Sequence, residues 1–252
     1  MERQKISVVC SGANEHTDIS EMVELSLKYP LEYGIQVSGK KCSFGTPRWF
    51  WINELHNYLL CEELVIDLAL HLNQDWVEGF TSGEVPPELD KLLKMTDVDG
   101  NPLFKRVQLN FKIGRENRPV RKVIEQRIEE YGQGRRFIFS YNPENKSFIH
   151  RLYKFGLRDF DVLYDSSHGE GIKGSEYLSP AFYDEGIFQG YAGGLSPDNV
   201  AEEVGKILKV VPRNRAFFID AEGKLKGKDG HLSLKKCERF VFKALSFTEE
   251  KN

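Results

Sequence analysis

One pattern recurs eight times along this chain: a short apolar run of strand character, then a segment with helical spacing. The strand-like runs cover 6–10, 33–38, 64–72, 106–111, 136–141, 160–166, 187–192 and 216–221. Between them lie apolar residues spaced three and four apart. Ile19, Met22, Val23, Ser26 and Leu27 follow the first strand, behind an Asp18/Glu21 capping-box pattern. Trp49, Ile52, Leu55, His56 and Leu59 follow the second. Leu89, Leu92 and Leu93 stand behind Pro86-Pro87, and Val120, Val123, Ile124 and Ile128 form the fourth stripe. Phe148, Ile149, Leu152 and Tyr153 form the fifth, and 176–184 is read as a weak sixth. Ser196-Pro197 opens the seventh as cap and first helical residue, ahead of Val200, Val204, Ile207 and Leu208. Leu234, Cys237, Phe240, Val241 and Leu245 form the last.

Eight strand–helix units in 252 residues predict an α/β fold, a (β/α)8 TIM barrel forming a single domain over 1–252. An open doubly wound sheet uses the same units and is the competing architecture. Enlarged connections are expected after strands three and four, at about 73–105 and 112–119. The longer of these, which contains the short third helix, is a candidate lid or insertion.

Composition narrows the function. Hydrophobic residues make up 40% of the chain, and 17 Phe, 10 Tyr and 3 Trp require a large core. A net charge of −3 argues against a nucleic-acid face and against a membrane-binding tail. No apolar run reaches membrane-spanning length, and no signal-peptide core follows Met1. Cys10, Cys42, Cys61 and Cys237 lack metal-type spacing and read as reduced thiols, so a cytoplasmic protein is expected.

Alternate residues of a strand share a face. In strand three, Ile66, Leu68, Leu70 and Leu72 should meet the helices, while Val65, Asp67, Ala69 and His71 point inward. Asp67, deeper in the barrel, is expected to pair with a buried cation or hydroxyl. Barrel active sites form at the C-terminal strand ends. The polar residues there are Cys10, Ser38, His71, Asn110, Asn142, Asp165, Asp220 and Glu222. Each also has a plain structural role: a buried thiol, a packed histidine, or a carboxylate capping local amides. Asp67, His71 and Asp165 could converge on a metal, but no ligand spacing demands one, and neither metal nor cofactor is expected.

Three glycine-bearing loops stand out. The Gly169 to Gly174 string matches GxGxxG, but it follows a late strand with no helix close behind, which fits a loop closing over ligand better than a dinucleotide fingerprint. Gly193-Gly194-Leu195-Ser196-Pro197 ends strand seven, and Asp220-Ala221-Glu222-Gly223 ends strand eight. Amides at such turns hold anions, and many barrels bind substrate phosphate there.

In order along the chain, these motifs resemble phosphoribosylanthranilate isomerase. The resemblance runs through Val8-Val9-Cys10-Ser11-Gly12, Thr46-Pro47-Arg48-Trp49, Val107-Gln108-Leu109-Asn110 and Leu163-Tyr164-Asp165. Its most specific stretch is Ala192-Gly193-Gly194-Leu195-Ser196-Pro197-Asp198-Asn199-Val200, followed by Ile219-Asp220-Ala221-Glu222-Gly223 and Gly227-Lys228-Asp229. The family carries out an Amadori rearrangement of an N-linked phosphoribosyl substrate, which needs a general acid and a general base. The resemblance assigns the base to Cys10 and the acid to Asp165. It gives the anthranilate carboxylate to Arg48 and the sugar to Asp220; His71 and Asn110, inward-facing at the ends of strands three and four, are also expected to line the substrate. Gly193, Gly194 and Gly223 would bind phosphate. The implied partner is a small phosphosugar, with the chain a monomer or homodimer.

Departures cluster at the rim. Ala221 and Glu222 replace two phosphate-binding serines, Asn110 replaces a histidine, and the chain is about 50 residues longer than a minimal barrel. A carboxylate beside phosphate repels it by about 4 kcal/mol at an effective dielectric of 20 and 4 Å separation. Glu222 must therefore point away, pair with Lys173, Lys224 or Lys226, or mark a different ligand. Two alternatives follow: a cofactor-free lyase or aldolase, or a non-catalytic ligand-binding barrel. Retention of Cys10, Arg48, Asp165 and Asp220 together argues against the second.

Overall fold

The computed structural model describes residues 4–110, 118–165, 176–182, 184 and 186–249. In chain order the elements are β1 (Ile6–Ala13), α1 (Ile19–Lys28), β2 (Leu31–Val37), α2 (Gly39–Cys42), α3 (Pro47–Cys61), β3 (Asp67–Leu72), α4 (Gln74–Ser82) and α5 (Pro87–Leu93). There follow β4 (Arg106–Leu109), α6 (Arg118–Tyr131), β5 (Arg136–Ser140), α7 (Lys146–Lys154), β6 (Phe160–Asp165), β7 (Gln189–Ala192), α8 (Val200–Val210), β8 (Phe217–Ala221), a 3-10 turn at Gly223–Leu225, and α9 (Leu234–Glu249). The eight strands hydrogen-bond in sequence order and close into a barrel. The open-sheet alternative is thereby excluded. By its contacts the chain divides into two compact units, 1–34 with 161–252, and 35–160.

In the first unit, Asp18 caps α1 as its sequence pattern predicts, accepting the Glu21 amide at 3.0 Å. The buried face of α1 is Met22, Val23 and Leu25, while Leu27, expected inside, is 65% exposed. α8 starts at Val200 rather than at Pro197. Asn199 explains the shift: its side chain accepts the Ser196 amide at 2.8 Å and donates to the Gly194 carbonyl at 3.0 Å, folding 194–199 into a turn. The expected helix at 176–184 does not form among its described residues. Pro180 has no amide to give a helix interior. The stretch is held by side chains instead. Tyr191 donates to the Leu178 carbonyl at 2.8 Å, Gln189 accepts the Ala181 amide at 3.1 Å, and the buried Arg215 donates to the carbonyls of Phe182, Asp184 and Ile187.

In the second unit, Thr46 accepts the Trp49 amide at 3.3 Å with Pro47 at the first helical position, so α3 begins where residue chemistry favours it. The connection at 73–105 is structured and carries two helices, one more than expected. α4 was not evident from the sequence, yet it buries Trp76, Val77 and Phe80, and α5 buries Leu89, Leu92 and Leu93. The Phe80 ring stands 5.8 Å from Phe137 of β5. Buried Arg135 ties this region together, donating to the carbonyls of Leu93, Phe104 and Tyr131 at 2.7, 2.8 and 2.6 Å. Leu93 and Tyr131 end α5 and α6, so one guanidinium satisfies two helix termini. Most of the second expected enlargement, at 112–119, lies outside the described residues.

Candidate active site

In the first unit, strand register decides which side chains face away from the helices. β1 pairs with β8 as Val9↔Asp220 and Cys10↔Ala221. Ser11 donates its hydroxyl to Asp220 Oδ1 at 2.6 Å, and both side chains are buried. Val9, Ser11 and Asp220 therefore share the inner row. Cys10 belongs to the other row. It is fully buried and hydrogen-bonds Cys237 of α9. That hydrogen bond, then burial, then the neighbouring Cys237 and Asp220 charges push the Cys10 thiol well up. A thiol acts as a base only as thiolate. The expectation of a catalytic base at Cys10 meets a protonated thiol on the helix side of its strand.

Further round the sheet, β6, β7 and β8 align Leu163↔Gly190, Asp165↔Ala192 and Gly190↔Phe218. Asp165 and Asp220 thus end inner rows of their strands, with β7 between them. Gly190 is required by its neighbour, since a Cβ there would lie 2.1 Å from the Phe218 ring. Phe218 lies two residues before Asp220 on the same row. Above β7, Gly193 and Gly194 adopt φ of 105° and 66°, a region that favours glycine. Gly223 opens the 3-10 turn after β8, and a Cβ there would meet nothing within 4 Å. The Glu222 carboxylate pairs with Lys226 at 3.0 Å, one of the three lysines considered from sequence. The Gly169 to Gly174 loop, with Lys173, lies outside the described residues.

In the second unit, Arg48 is the second residue of α3 and is buried, donating to the Gln36 carbonyl at 2.7 Å. β3 and β4 align Ala69↔Arg106, Leu70↔Val107 and His71↔Gln108, and β4 and β5 align Val107↔Phe137. Phe137 meets Phe80 of α4, so the Val107 row faces helices and His71 lies on the inner row with Arg106 and Gln108. His71 is 2% exposed, and its Nε2 has no hydrogen-bond partner among the described residues. Burial, with the Arg106 cation adding to it, pushes the imidazole down to about 3. Asn110 accepts from Gln108 at 2.8 Å and donates to Asn73 at 3.0 Å. Asp67 is not deep in the barrel. Its side chain is 55% exposed at the start of β3, where it pairs with Lys105 at 2.8 Å, at the opposite end of the strand from His71. Among the described residues no group of three or more His, Cys, Asp or Glu is placed to hold a metal. No described helix is long and apolar enough to cross a membrane.

Sequence reasoning missed Ser11 and Asn73. Ser11 lies 209 positions from its partner Asp220, so nothing local marks the pair. Its one signal was the alternation along β1, which sets residue 11 opposite residue 10.

No protein-family model matches the chain, and no curated protein matches it. Solved structures of similar fold include a phosphoribosylanthranilate isomerase from Thermotoga maritima, at 14% identity and a TM-score of 0.52, over 96% of this chain and 99% of that one. TrpF from Jonesia denitrificans is similar at 14% identity and a TM-score of 0.51, over 97% and 98% of the two chains. A fructose-bisphosphate aldolase from Campylobacter jejuni is similar at 13% identity and a TM-score of 0.51, over 98% and 86%. At these identities the likeness is one of fold: the chain is a (β/α)8 barrel spanning nearly the whole length of each isomerase.

Proposed function

We propose that this chain is an acid–base isomerase of the phosphoribosylanthranilate isomerase type, converting an N-linked phosphoribosyl aldose into its aminoketose. One observation carries the reading. Two carboxylates, Asp165 and Asp220, end the inner rows of β6 and β8 on either side of the Gly193-Gly194 turn. The rearrangement needs two proton-transfer groups around one sugar. An acid protonates the ring oxygen as the ring opens to a Schiff base. A base then removes the C2 proton, and the enolamine returns as the ketone. Asp165 keeps the acid role. The base passes from the buried Cys10 thiol to Asp220, which Ser11 orients. Arg48 takes the aromatic carboxylate, for which a planar guanidinium is suited. His71 and Asn110 bind the sugar, and the amides of Gly193, Gly194 and Gly223 take the phosphate. Glu222 is tolerated there because Lys226 offsets its charge.

The test follows anthranilate fluorescence while phosphoribosylanthranilate is generated in the cuvette. The wild-type chain should turn it over. Asp165→Asn and Asp220→Asn should each lower kcat by about 10²–10⁴-fold, the usual contribution of a general acid or base. Cys10→Ala should remain within a few-fold of wild type. No turnover by the wild-type chain overturns the isomerase reading. Glu222 favours one other reading, a lyase or aldolase on a less phosphorylated ligand, which cleavage of a sugar lacking the 5-phosphate would support.

A further inference from the structure

In the second unit, α3 is apolar on both of its faces. One is buried through Trp51, Ile52, Leu55 and Leu59. The other, where a surface helix normally carries charge, has Phe50 at 63% exposure beside the exposed Leu60 and Cys61. A helix that is hydrophobic all round is normally covered. Phe50, Asn53, Glu54, Asn57, Tyr58 and Cys61 line one shallow groove of about 610 Å³ along the outer face. Phe50, Glu54, Asn57 and Cys61 are spaced four, three and four apart, which sets them in a single stripe. Glu54 is the one carboxylate in it, in a chain that is 29% charged.

The stripe reads as its own complement. Reversed about a point between Leu55 and His56, Phe50 falls on Cys61, Asn53 on Tyr58 and Glu54 on Asn57. A two-fold axis through that point lays a second α3 antiparallel on the first. Each Phe50 ring then covers the small side chain of the partner's Cys61. Each Glu54 carboxylate meets the amide of the partner's Asn57 and not a second carboxylate. Each Tyr58 hydroxyl meets the amide of the partner's Asn53. Within one chain the Glu54, Asn57 and Tyr58 side chains make no hydrogen bond among the described residues, and Asn53 donates to the Trp49 carbonyl at 2.7 Å. We propose that the outer face of α3 is the contact surface of a two-fold dimer of this chain. The 15 residues of α3 extend about 22 Å and bury roughly 400 Å² per copy, about half of a standard interface. The dimer is therefore weak and forms at high protein concentration, leaving Cys61 open to thiol reagents in dilute solution. Nothing in this depends on the isomerase reading.

The pairing fixes which positions can be cross-linked. Packed helices lie about 8–10 Å apart, with each Cα about 2.3 Å from its axis, so facing Cα atoms approach to about 4–6 Å, which a disulfide spans. Each Cys61 faces the partner's Phe50 and stands about 16 Å along the axis from the partner's Cys61. Under mild thiol oxidation at high concentration, full-length Phe50→Cys should form a disulfide-linked dimer through Cys61. Wild type and Phe50→Cys with Cys61→Ala should not. Phe155→Cys, at a position 64% exposed elsewhere in the same unit, should not either. Sedimentation velocity from about 5 μM to about 1 mM should show wild type moving from monomer toward dimer. Phe50→Lys should stay monomeric with an unchanged melting temperature, because its side chain lies outside the core. A wild-type chain that is monomeric throughout overturns the proposal and leaves the face to a different protein. A dimer that survives Phe50→Lys overturns it, because the contact then lies elsewhere. So does failure of Phe50→Cys to link through Cys61, or linkage of Phe155→Cys to the same extent.

Discussion

Acid should unfold this protein partly through His71. In the unfolded chain the imidazole titrates near 6.5, whereas in the folded chain burial and then Arg106 push it down to about 3. Between those values the unfolded state binds a proton that the folded state refuses. The stability tied to the neutral ring is therefore complete above pH 6.5 and is lost as pH falls toward 3. At pH 8 the loss is negligible, and at pH 5 it is about 2 kcal/mol. The ring is 2% exposed, so solvent screening takes little away from this figure. The clean perturbation is His71→Leu, since every other titrating group is common to both proteins. Denaturant unfolding of wild type and variant at pH 8 and pH 5 gives four free energies. Their double difference should show the variant gaining about 2 kcal/mol on wild type as pH falls. A double difference within about 0.5 kcal/mol of zero would refute a neutral, buried His71.

Other perturbations test the packing. Gly190→Ala sets a methyl 2.1 Å from the Phe218 ring and should cost about 3 kcal/mol or more in denaturant unfolding, with much of the loss recovered by adding Phe218→Leu. Arg135→Met strands three buried carbonyls and should cost about 3 kcal/mol or more by the same measurement. In a thiol-titration time course, the exposed Cys61 should react at once, while Cys10, Cys42 and Cys237 should wait for unfolding. Rapid reaction of Cys10 in the folded chain would restore it as a candidate base.

The barrel was legible because each of its strands is an apolar run bounded by polar or glycine-rich residues, and all eight appear within a few residues of their expected limits. Helices proved less regular. Trp76, Val77 and Phe80 have helical spacing, but Gly79 interrupts the pattern, and α4 went unread as part of a long connection. Residues 176–184 carried enough apolar character to suggest a helix, yet Pro180 disfavours one and three side chains from elsewhere in the unit bond to its described backbone. In each case tertiary partners, absent from any local window, outweighed propensity.

The site shows the same limit more sharply. Asp165 and Asp220 could be placed near the rim by position, because both stand at the C-terminal ends of barrel strands. Which residue of β1 shares their face could not be found that way. The string Val9-Cys10-Ser11-Gly12 matches a family motif by its cysteine, but side chains alternate along a strand, and a one-residue difference in register moves a residue to the other face. Pairing Val9 with Asp220 puts Ser11 inside and turns Cys10 toward α9, where Cys237 receives it. The hydroxyl now on the inner face is bonded to a carboxylate and is itself no base near neutral pH. The carboxylate it touches is Asp220. A single position along β1 thus decides that Ser11, and not Cys10, shares a face with Asp220.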